Sequence, residues 1–121
     1  MFTISKDFHF SASHQLNDLP DDHQCARLHG HNYIVRIHLA SPTLNSVGFV
    51  QDYGELTQLK KWIDDNLDHR HLNNICDFNP TAENLARHLH TLAHEFGYTK
   101  VTAVSVSETP KTWATYTPEG Q

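Results

Sequence analysis

From Phe2 to His14 the chain alternates: Phe8, Phe10, Ala12 and His14 fall on one face of an extended segment, and Asp7, His9, Ser11 and Ser13 on the other. Alternation resumes at His29. There His29, His31, Tyr33, Val35, Ile37 and Leu39 share one face, and Asn32, Arg36 and His38 take the opposite one. Two strands are predicted, and their inward faces carry three histidines, a residue seldom chosen for packing alone. The polar, proline-containing residues 17–24 deliver the chain into Cys25, and residues 41–48 predict a turn region ahead of a short strand, FVQD, at 49–52.

The period then changes to that of a helix. Asp52 followed by Glu55 makes a capping-box start, and Leu56, Leu59, Ile63 and Leu67 predict a helix over 53–66. After a loop at 68–81, Leu85, Leu89, Leu92 and Phe96 mark a second helix that Gly97 stops. Strand patterning returns at 101–108, with Val104, Val106 and Glu108 on one face, and TWATY at 112–116 predicts a last strand. The order predicts an α+β domain over residues 1–121: an antiparallel four-stranded sheet with two helices on one face. Such a sheet has open edges, and assembly with further copies of the chain is the expected way to cover them.

A length of 121 residues suits one domain with a core of its own. The net charge of -5, with no basic cluster beyond Lys60 and Lys61, argues against nucleic acid as a partner, while a local Arg27 or Lys111 suffices for a small anionic substrate. No run approaches the roughly 20 apolar residues of a membrane span. The first residues carry neither a basic leader nor an apolar segment, so a cytoplasmic protein is expected. Two cysteines fall short of a disulfide framework.

The histidines change the picture most. His14, His29 and His31 together offer three imidazoles, which leave the fourth tetrahedral position of zinc open to water or substrate; the alternative is three packed, hydrogen-bonded core histidines. Cys25, four residues before His29, suits a thiolate base, a fourth ligand or a buried thiol, and spacing does not separate the three. Asp68 precedes His69, where a carboxylate can orient an imidazole, but adjacent helical residues do not face one another; loop geometry is required, or His71 takes the role. Glu108 suits an acceptor for an aminopyrimidine edge, or is exposed because its strand ends there.

ASH at 12–14, CARLHGHNY at 25–33, LDH at 67–69, NPTAENLA at 79–86 and SET at 107–109 together resemble the 6-pyruvoyltetrahydropterin synthase family. The three-residue gap between cysteine and HGH is similar to that of its queuosine-pathway branch, the 6-carboxytetrahydropterin synthases. The resemblance implies that His14, His29 and His31 bind zinc, that Cys25 is a general base, and that Asp68 and His69 form a second proton-transfer pair. It implies that Glu108 anchors a pterin ring, with Thr81 and Glu83 contributing from a neighbouring subunit. It further implies a tunnelling fold whose trimers close their sheets into a barrel and stack in pairs as a homohexamer. The implied reaction turns 7,8-dihydroneopterin triphosphate into 6-carboxy-5,6,7,8-tetrahydropterin, releasing acetaldehyde and triphosphate without a redox cofactor; from its position near the motifs alone, Arg27 or Lys111 is expected to meet the phosphates. In this chain DHRHLN stands where the family has DHHxLN. The competing functions are a sister enzyme, either one making 6-pyruvoyltetrahydropterin or one cleaving the dihydroneopterin side chain, and a non-catalytic zinc module closed by Cys25.

Overall fold

In a computed structural model, which describes residues 1–120 and leaves Gln121 outside, the two alternating segments pair along their whole length. Strands β1 (Phe2–His14) and β2 (His29–Ser41) run antiparallel in unbroken register from Phe2 opposite Ser41 to His14 opposite His29. That register fixes the site in advance. Because His14 faces His29 and Ala12 faces His31, all three histidines emerge at one end of the hairpin on the same face.

Helix α1 (Thr57–Asn66) follows a single 3-10 turn at Tyr53–Leu56, and the Asp52 and Glu55 capping box forms as its spacing predicts. The strand expected at 49–52 does not form. The Asn45 side-chain carbonyl accepts hydrogen bonds from the backbone N–H groups of Val47, Gly48 and Phe49 at 3.0, 3.0 and 2.9 Å, so the chain coils around Asn45 instead of extending.

The predicted loop 68–81 holds two elements that no periodicity announces: β3 (Arg70–His71) and the one-turn helix α2 (Leu72–Ile75). His69 adopts a φ of 58°, in the left-handed region, and its N–H donates to Ser11 O at 2.6 Å, which lays β3 parallel to β1. Helix α3 (Ala82–Glu95) then leads past Gly97, whose φ of 91° ends it, into β4 (Val101–Thr109) and β5 (Thr112–Tyr116). The sheet is therefore five-stranded and mixed, in the order β3-β1-β2-β4-β5, and not the four-stranded antiparallel sheet expected.

One sheet face carries the core. Phe8, Phe10, Tyr33, Val35, Ile37, Val104 and Val106 meet Leu59 and Ile63 of α1 and Leu85 and Leu89 of α3, all buried. The other face is polar: Arg36 makes two hydrogen bonds to Asp7, at 2.8 and 3.0 Å, and stacks its guanidinium 4.5 Å over the Trp113 ring. Behind β1, two asparagine side chains copy the pairing of a strand. Asn73 bonds both backbone groups of Gln15, at 2.9 and 2.7 Å, and Asn79 does the same for Asn17, at 2.9 and 3.3 Å, so the loop that carries Cys25 starts from a fixed base.

Candidate active site

The three histidines present nitrogen to a common point. One ring nitrogen from each of His14, His29 and His31 lies within 4.8 Å of the others. The partners of the remaining nitrogens decide which atoms these are. Pro80 O is 2.8 Å from His14 Nδ1 and Arg27 O is 2.7 Å from His29 Nδ1. A carbonyl can only accept, so both Nδ1 atoms carry the hydrogen, and in the neutral rings both Nε2 atoms are bare lone pairs. Those two Nε2 atoms stand 2.8 Å apart, and the buried Nε2 of His31 has no hydrogen-bond partner. Converging lone pairs repel unless a cation lies between them. A set of three neutral nitrogens with one side open fits a tetrahedral metal such as zinc.

Burial keeps the set ligand-ready. Loss of hydration is the largest cause that holds His14 and His31 below the ordinary imidazole range, with the nearby Glu108 carboxylate opposing it. At neutral pH both rings are uncharged, so the 3.4 Å approach of Glu108 Oε2 to His31 Nε2 is a contact and not an ion pair. The Tyr33 hydroxyl, 1% exposed, sits 3.2 Å from His14 Nδ1 and takes the second branch of the hydrogen bond that Pro80 shares.

Cys25 lies in a 3-10 turn, Gln24–Ala26, whose backbone is held by Leu16 N–H donating to Cys25 O at 2.9 Å. Its sulfur does not join the ligand set. With Arg27, His29, His31, Glu108 and Thr112 it lines a cavity of about 590 Å³, so the thiol and the Glu108 carboxylate share one chamber with two of the three histidines. Asp68 and His69 form the pair that sequence adjacency alone would not give: Asp68 Oδ2 is 2.9 Å from His69 Nδ1, and Oδ1 accepts from Ser11 N–H at 2.9 Å. The left-handed φ at His69 turns its ring back onto its neighbour. His71 goes elsewhere, its Nδ1 2.9 Å from Ser13 Oγ.

Residues 3–119 match the family model described as 6-pyruvoyl tetrahydropterin synthase. The chain belongs to that family. Within the 6-pyruvoyl tetrahydropterin synthase family it is similar to 6-carboxy-5,6,7,8-tetrahydropterin synthases of Synechocystis (34% identical, covering 96% of this chain and 93% of the relative) and Bacillus subtilis (33%, covering 98% and 86%). The solved 6-pyruvoyl tetrahydropterin synthase of Caenorhabditis elegans superposes with a TM-score of 0.85 at 27% identity, covering 98% of this chain and 96% of that one. Membership places the chain among pterin-processing enzymes.

Not every expected residue of the synthase site comes together in one copy. His69 lines a separate cavity with Ser11, Ser13 and Asn32, which alternate with the inward residues and so open on the polar sheet face, away from the Cys25 chamber. Thr81 caps α3, its Oγ1 accepting from Asn84 N–H at 3.1 Å. Glu83 and Glu108 of the same copy both line a cavity of about 190 Å³. Sequence reading missed Tyr33 and the Pro80 and Arg27 carbonyls as partners of the histidines. Tyr33 had a usable signal in its alternation with His29 and His31; a backbone carbonyl has none.

Proposed function

We propose that the chain is a zinc-dependent 6-carboxy-5,6,7,8-tetrahydropterin synthase acting in queuosine biosynthesis. Its substrate would be 7,8-dihydroneopterin triphosphate, which with one water yields 6-carboxy-5,6,7,8-tetrahydropterin, acetaldehyde and triphosphate. The observation that carries this reading is the convergence of one ring nitrogen from each of three histidines beside a chamber that also holds a thiol and a carboxylate. The similarity to relatives named for this product supports the branch.

Zinc bound by His14, His29 and His31 would supply Lewis acidity to the side-chain oxygens of the substrate. The chain's own groups do the rest. Glu108 accepts hydrogen bonds from the aminopyrimidine edge and fixes the ring relative to the histidines. Cys25 takes a proton from the side-chain carbon next to the ring. Asp68 accepts from His69 Nδ1–H, which leaves Nε2 as the atom that moves the second proton. His69 opens on the polar face, which suits a pair that reaches the Cys25 chamber of another copy, with the site built between protomers of a homohexamer of two trimers.

The test is to incubate zinc-loaded protein with 7,8-dihydroneopterin triphosphate and identify products by mass spectrometry. Carboxytetrahydropterin with acetaldehyde is expected. The second reading, favoured by the similarity to the Caenorhabditis elegans structure, is a 6-pyruvoyltetrahydropterin synthase, and that product would replace the first. A dihydroneopterin-cleaving activity would leave a hydroxymethyl pterin.

A further inference from the structure

The cavity beside His69 has a chemistry of its own. It spans about 490 Å³ between β1, β2 and β3, and its lining includes His31, Asn32, His69, Arg70, His71 and the two serines Ser11 and Ser13. No carboxylate lines it, although acidic residues outnumber basic ones 14 to 9 in the chain. Asp68, the nearest acid in sequence, has both oxygens committed, one to Ser11 N–H and one to His69. Arg70 donates to Asp65 O at 3.2 Å and is paired with no carboxylate among the described residues. Gly30 lies in the floor, where the absence of a side chain keeps the space open, and its neighbours on β2 are the histidines His29 and His31.

A guanidinium, three imidazoles, hydroxyls and an amide, with no opposing carboxylate, suit an anion with many oxygens. The cavity that holds Arg27 also holds Glu108, and that carboxylate repels such an anion. We propose that the Arg70 cavity is the subsite for the triphosphate tail of the substrate, with Arg70 as its principal cation. This rests on the pterin triphosphate reading above, and the order of groups agrees with it. Along the substrate come ring, hydroxylated carbons, then phosphates. Across the protomer interface of that reading come Glu108 and the histidine set of one copy, then His69 of its neighbour, with Arg70 and His71 beyond it.

The experiment measures binding of inorganic tripolyphosphate to zinc-loaded protein by calorimetry, with unphosphorylated neopterin as a second probe. Wild type is expected to bind both. Arg70→Ala should weaken tripolyphosphate about tenfold or more, as loss of a charge-assisted hydrogen-bond donor implies, with Arg70→Lys recovering part of the loss. Zinc content and neopterin affinity should not change. The proposal is overturned if Arg70→Ala binds tripolyphosphate like wild type, if Arg27→Ala carries the loss instead, or if wild type does not bind it. Failure to bind neopterin, with tripolyphosphate behaving as expected, would sink the pterin reading and leave the anion subsite standing.

Discussion

Tyr33 shows how much one buried hydroxyl can govern. Its ring stacks on Phe10 at 4.6 Å and its oxygen meets His14 Nδ1, so Tyr33→Phe keeps the packing and removes only the polar contact. Outer partners of a metal ligand typically contribute about 10- to 100-fold to metal affinity; competition with a chelator should show Tyr33→Phe weaker by about tenfold, with the metal-free melting temperature little changed. His31→Ala should lose both metal and turnover, whereas Cys25→Ala should keep the metal and lose turnover. Metal analysis beside single-turnover assays checks this, and the reverse order would refute the division of labour. The inward set was legible because a period of two admits only one assignment once Phe8, Phe10, Val35 and Ile37 define the core face. The Asp68 and His69 contact was not, because it depends on a positive φ that no side-chain pattern encodes.

At the scale of elements, long amphipathic segments announced themselves and short ones did not. Each thirteen-residue strand and the α3 stripe repeat their pattern often enough to be read, whereas the two residues of β3 owe their pairing to the Ser11 carbonyl and the turn at His69. FVQD has the composition of a strand, but its first backbone donor, the Phe49 N–H, is taken up locally by Asn45. Helix α3 carries its own pH sensitivity. His90, 8% exposed, packs against Tyr116 and His94, and burial first, then the His94 charge, push its pKa down. The unfolded chain therefore binds the proton more readily than the native one. This contribution to stability is complete above about pH 6.5 and is lost as pH falls below it. Denaturant titrations at pH 7.5 and 5.5 should show the loss in wild type and a smaller one in His90→Phe, with His38 supplying part of the remainder in the same direction.

For the whole molecule, the faces of the sheet matter more than its outline. Cys25 opens into a chamber on one side and His69 into a cavity on the other, so a functional site built between copies predicts complementation. Mixing inactive Cys25→Ala with inactive His69→Ala, after dissociation and reassembly, should restore a fraction of wild-type turnover; if hybrids stay inactive while forming normal oligomers, both groups act within one copy. The two cavities share His31 in their linings. His29 and His31 belong to the candidate metal set while Gly30, between them, and His31 itself line the Arg70 cavity, so a displacement of β2 is felt in both at once. If zinc and tripolyphosphate bind where proposed, they are thermodynamically linked. Whatever factor tripolyphosphate applies to zinc affinity, zinc must apply to tripolyphosphate, and titrating each in the presence and absence of the other should return the same number.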